Sequence, residues 1–128
     1  MATNIVNSNH MVSVDWTNGT GSAIASGAVV KMGAAGAATL GVALVDMAAG
    51  ETGSVGINCS ATVAKVSAAV FKAGENLIWD SSAAAFDDNA ATPASGDVTG
   101  STRATADGAN AETTAVVWFT GIPGTLTA

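Results

Sequence analysis

Two stretches, Ile24-Ala-Ser-Gly27-Ala-Val-Val-Lys-Met32 and Phe71-Lys-Ala-Gly74-Glu-Asn-Leu-Ile-Trp79, read as copies of one unit: an apolar residue, a glycine three positions on, then a strand-like run. An internal duplication sets architecture before local propensity does. Each copy continues through a second glycine, Gly41 and Gly100, into a Glu-Thr turn and a further strand. These are Glu51-Thr-Gly-Ser-Val-Gly-Ile57 in the first copy and Glu112-Thr-Thr-Ala-Val-Val-Trp118 in the second. The copies differ mainly by an insertion, residues 81–97.

Outward from the repeat, strands are expected at 29–32, 41–47, 54–66, 76–79, 101–106 and 113–119, each rich in β-branched residues and bounded by turn formers. Short strands punctuated by glycine predict an all-β fold, a small β-barrel or β-sandwich built from the duplication. Residues 67–71 are too few for an independent helix. The insertion is low in strand formers and reads as a surface loop with Phe86 as its anchor.

Residues 1–22 are polar and Asn-rich, with one alternating run in which Val12, Val14 and Trp16 share a face of an extended strand. They read as an extended N-terminal arm ahead of a β-rich domain at 23–128. The arm's apolar residues, Ile5, Val6, Met11, Val12, Val14 and Trp16, either join the chain's own sheet or reach another subunit. Deleting 1–16 is then expected to leave a folded body. The first ten residues carry no Lys or Arg and no continuous apolar stretch, so no secretory signal is read there.

Of the 128 residues 48% are apolar, but only 5% are aromatic and 11% charged, so Ala and Val supply most of the hydrophobicity. An ordinary domain carries roughly 25% charged residues. Ala-rich layers bury little area per residue at ~25 cal/mol/Å², which predicts a thin core completed by subunit contacts. The net charge is −6 with four Lys and Arg in all, too few to neutralise a phosphate backbone, so neither nucleic acid nor an anionic membrane surface is an expected partner. The weakly polar stretch at 32–45 is shorter than a membrane-spanning helix needs. Cys59 is the one cysteine, so no intramolecular disulfide forms.

The chemical inventory is poor. The one histidine, His10, sits in the extended segment, away from any nucleophile and base pairing the sequence suggests. Asp87, Asp88 and Asp97 share a loop but lack the ligand order of a Ca²⁺ site, and one Cys with one His cannot complete a zinc shell. Gly50-Glu-Thr-Gly53-Ser-Val-Gly56 has the glycines of a phosphate loop but leads into a strand, and no Gly-Lys pair exists. No catalytic residue, cofactor or metal site is read, and the chain is not expected to be an enzyme. Trp79 and Trp118 are read as core or subunit-seam residues. Trp118 and Phe119 are consecutive in a strand and so face opposite ways, which makes Trp79, Trp118 and Phe119 the candidates for a subunit interface.

Four blocks, Ala25-Ser-Gly27-Ala-Val-Val, Gly41-Val-Ala-Leu-Val-Asp-Met-Ala-Ala-Gly-Glu-Thr-Gly53-Ser-Val, Val70-Phe-Lys-Ala-Gly-Glu-Asn-Leu-Ile-Trp-Asp80 and Thr113-Thr-Ala-Val-Val-Trp-Phe, carry a resemblance. They resemble the capsid cement (decoration) protein family of tailed phages, a former domain of unknown function often mislabelled a RecA/RadA-like recombinase. The missing phosphate loop and basic surface contradict that label. The resemblance implies a structural virion protein on the outer surface of an icosahedral head. It would be a homotrimer bridging neighbouring major capsid protein subunits and stabilising the mature capsid, with an N-terminal segment along the lattice. The alternative is a head-fibre or adhesin-like module that binds host surface glycans through the 81–97 insertion.

Overall fold

In the computed structural model, which describes residues 2–34 and 36–128, Gly27 and Gly74 share one backbone conformation, with φ at +91° in both. That left-handed geometry aims each N–H across its unit: Gly27 donates to the carbonyl of Ala43 at 2.7 Å and Gly74 to that of Ala104 at 2.7 Å. A side chain resists this φ, which is why both copies carry glycine at this position.

The described regular elements are all strands: β1 (Ile5–Asn7), β2 (Val12–Thr17), β3 (Val29–Ala34), β4 (Ala37–Ala43), β5 (Thr52–Ile57), β6 (Cys59–Ala64), β7 (Asn76–Asp80), β8 (Ala85–Asp87), β9 (Val98–Ala104), β10 (Thr114–Phe119) and β11 (Gly124–Leu126). They form one antiparallel sheet in the order β1-β6-β10-β9-β11-β4-β5-β2, with β3 on β4 and β7 on both β8 and β9. The sheet curls into a half-barrel. The chain is therefore all-β, as its glycine-punctuated runs predict.

The duplication holds register for register. β2 and β6 lie 47 residues apart, as do the starts of β3 and β7. Val30 opposite Gly41 is matched by Leu77 opposite Thr102, and Val12 opposite Ile57 by Cys59 opposite Phe119. The connecting loops match as well. An Ile24–Met47 bridge in one copy answers a Phe71–Gly108 bridge in the other. Asp46 accepts the N–H of Ser26 at 2.7 Å, and Asp107 accepts that of Ala73 at 2.9 Å. The Ala73 N–H, with Lys72 beside it, holds the Asp107 carboxyl below the usual carboxylate range.

Two buried polar side chains also correspond. Asn18 donates to the carbonyls of Ser22, Met47 and Ala48, while Lys65, 47 positions on, donates to those of Val66, Ser67 and Glu112. Each ties the loop that follows its strand to a second loop, the one before β5 or the one before β10, and satisfies carbonyls that would otherwise be desolvated and unpaired.

Several expectations are corrected by the register. Gly41 corresponds to Thr102, not to Gly100; Gly100, at φ +89°, lies where β9 bulges between its pairings with Leu77 and Ile78. The single strand expected at 54–66 is two strands, broken at Asn58 with φ +54°. This turn passes the chain from the β2–β5 side to the β6–β10 side. The 81–97 insertion, read as a loop, contains β8, which pairs with β7.

Phe86 of β8 is fully buried. Its ring centroid lies 5.0 Å from Trp79 and 5.8 Å from Phe119, edge-on to the latter. This aromatic trio sits in the larger core cluster, which also draws Leu40, Val42 and Leu44 from the first copy and Leu77, Val98 and Val117 from the second. A smaller cluster, Val30, Ala43, Met47 and Val55, lies under Val14 and Trp16. β11 joins the copies by pairing with β4 on one side and β9 on the other.

Of the two fates open to residues 1–22, joining the chain's own sheet is the one realised here: β1 lies on β6, and all six residues of β2 pair with β5. Deleting 1–16 would uncover the smaller cluster, so that truncation is expected to damage the body rather than spare it.

The repeat glycines give a paired test. Nothing lies within 4 Å of a Cβ added at Gly74, so Gly74→Ala carries the left-handed penalty alone, about 1–2 kcal/mol. At Gly27 the added Cβ also meets the Asn4 carboxamide at 2.9 Å, so Gly27→Ala is expected to cost more. Urea unfolding followed by tryptophan fluorescence measures both, and equal costs would contradict the Asn4 contact.

Candidate functional site

The six apolar residues of the N-terminal segment do not form one patch. β1 and β2 lie at the two ends of the sheet path, linked by residues 8–11. Ile5 and Met11 pack on the larger core cluster, and Val14 and Trp16 pack on the smaller one. Val6 and Val12 remain, 60% and 51% exposed, as the residues of this set that offer apolar surface to a partner. The segment is held by Asn4, whose side chain donates to the carbonyls of Gly27 and Thr62 at 3.0 Å each and so ties one copy to the other. Asn4 was not singled out by sequence, because a polar residue near a terminus carries no local signal of such a role.

The three aromatic candidates separate. Phe119 is fully buried and belongs to the core, Trp79 is half-buried against Phe86, and Trp118 is 41% exposed. Trp118 and Phe119 thus face opposite ways along β10, with Trp118 outward.

Trp118 lines a cleft of about 290 Å³ with Asn7, His10, Asn58, Cys59, Ser60 and Thr105. The duplication shows how it arises. The counterpart of Trp118 in the first copy is Gly56, above which Met11 and Leu44 close in, 3.0 and 3.2 Å from where a Cβ would lie. Their counterparts by the same offsets are Asn58 and Thr105. One copy therefore fills this place with apolar side chains, and the other leaves an aromatic surface rimmed by neutral polar groups. Asn58 donates to the carbonyl of His10 at 3.0 Å, fastening the link between β1 and β2 to the rim.

No acid–base or nucleophilic arrangement is assembled there. Cys59 is buried, and burial pushes its thiol upward, away from the reactive thiolate. The insertion's carboxylates serve its own backbone: Asp97 accepts the N–H groups of Ser81 and Ala94, Asp87 that of Asp88, and Asp88 that of Ala90. Among the described residues no three His, Cys, Asp or Glu side chains gather as a metal site would require.

With its pKa raised and little surface exposed, Cys59 is expected to resist alkylation by iodoacetamide at pH 8 in the native protein and to react fully in denaturing urea. Mass spectrometry of the adduct checks this, and rapid native labelling would show that the β6–β10 pairing opens readily.

Compared with known protein families, residues 7–119 match the family described as phage cement protein. No curated protein matches the chain.

Proposed function

The chain belongs to the phage cement protein family, and from that structural, capsid-associated role we propose that it decorates the exterior of an icosahedral phage head and cements neighbouring major capsid protein subunits. The family match over residues 7–119 carries this reading. The surface supports it: exposed apolar residues on β1 and β2, an outward Trp118, and a net charge of −6 that suits a coat kept apart from the genome.

The mechanism is multivalent attachment. Val6 and Val12 lie on strands whose half-buried neighbours Ile5, Met11, Val14 and Trp16 anchor the segment to the body, so a capsid contact made there is transmitted to a rigid sheet. Trp118 supplies apolar surface for a contact between copies, and a homotrimer built on it would hold several such segments at once. Linked contacts raise avidity by roughly 10²–10⁴-fold over one alone. A thin core gains from the same association, since burial shared between copies adds to the burial within each.

Purified protein mixed with undecorated heads of its own phage is expected to coat their outer surface and raise the temperature at which they release DNA, read by electron microscopy and by heating. Val6→Asp with Val12→Asp, both at exposed positions, should lower occupancy at least tenfold without altering the unfolding midpoint. Trp118→Ser should lower the self-associated fraction in light scattering. Binding without any gain in heat tolerance would remove the cementing role.

A further inference from the structure

The duplication supplies an internal reference for each sheet edge. β6 and β2 are counterparts, and each pairs on one side in the same register, β6 with β10 and β2 with β5. On its other side β6 carries β1: Ile5 lies opposite Ala61, Asn7 opposite Ser60, and Thr62 donates its N–H to the carbonyl of Asn4 at 2.9 Å. The counterpart of Thr62 is Asp15. Among the described residues β2 pairs with β5 alone, so the edge that one copy covers is open in the other.

The chemistry of that edge follows from its register. Asn18 donates its N–H to Glu51, one step beyond the Thr17–Thr52 pair. Counting back by twos along an antiparallel ladder turns the main-chain groups of Val12, Val14 and Trp16 toward β5 and those of Ser13, Asp15 and Thr17 outward. On the side-chain faces, Val14 and Trp16 are half-buried while Asp15 is exposed on the opposite face. A six-residue edge with its hydrogen-bonding groups unpaired is a template for strand addition.

We propose that the open edge of β2 accepts an extended segment of the capsid subunit to which this protein attaches, added as a further strand of its sheet; this rests on the cement reading. The matching segment is amphipathic, with apolar residues beside Val14 and Trp16 and a Lys or Arg beside Asp15. A second copy of the chain is the poorer occupant. Two β2 edges pair about a two-fold axis in one of two registers, which set Asp15 directly opposite Asp15 or leave the two carboxylates diagonal neighbours, and like charges so placed are destabilising. The outer edge of another copy's β1 has three residues and an interrupted register, too short to cover six, and β3, six residues paired with β4 alone, has its Lys31 engaged by Ser81 and Gly96 of its own chain instead of free for Asp15.

Ser13→Pro tests the proposal. The N–H of Ser13 points away from β5, so proline removes no bond within the chain while its ring blocks an incoming strand. The variant is expected to keep the wild-type unfolding midpoint and oligomeric state but to lose at least tenfold in occupancy of undecorated heads. Asp15→Lys, an exposed substitution that stands in should proline unfold β2, is expected to lose occupancy likewise by repelling the basic partner residue. Wild-type occupancy by a folded Ser13→Pro or by Asp15→Lys overturns the strand-acceptor role and leaves cementing intact. A changed oligomeric state in Ser13→Pro overturns it in favour of a second copy as occupant. Heads that the wild-type protein itself fails to coat overturn both.

Discussion

The hydrogen bond from Gly27 to Ala43, with its copy from Gly74 to Ala104, turns the chain so that the strand following each glycine lies antiparallel to its partner, β3 on β4 and β7 on β9. Only a residue free to adopt a φ near +90° can present its N–H there. The requirement is stringent because the core is thin: with aromatics at 5% and Ala and Val dominant, few large side chains can correct a misplaced strand. Backbone geometry and buried polar caps such as Asn18 and Lys65 do in this sheet what bulky packing does in others.

Where the two copies differ, the differences have consequences. The insertion delivers Phe86 between Trp79 and Phe119 and gives the second copy an aromatic center that the first lacks. The first copy instead closes over Gly56 with Met11 and Leu44, while the second opens a polar cleft beside Trp118. Among the described residues β6 carries β1 on its outer side, while its counterpart β2 has no strand there. A duplicated unit begins with two equal surfaces; here one side of each pair stabilises the chain and the other faces outward, which suits a structural, capsid-associated protein.

Much of the fold could be read from residue pattern. The repeat, the strand character and the cores of the strands at 29–32, 76–79 and 113–119 follow from glycine offsets and β-branched runs, signals carried by neighbours in sequence. The break at Asn58 was not legible, since a left-handed Asn inside an apolar run looks like continued strand. β8 gives no strand signal in sequence, because Ala85 and Asp87 have little β propensity and the strand is held by pairing with β7 rather than by its own residues. Spacing alone pairs Gly100 with Gly41, because a bulge that shifts the register leaves no mark in it.

By itself, the sequence determined the all-β class, the internal duplication and the absence of a charge pattern for nucleic acid. These depend on composition and on local conformational preference, which a linear chain displays. Only the tertiary structure decided that residues 12–17 complete the chain's own sheet, that Phe119 is core while Trp118 is surface, and that among the described residues β6 is covered while β2 is open. Each of those outcomes is a competition between distant segments for the same hydrogen bonds and the same buried space, and its winner is settled when the strands meet.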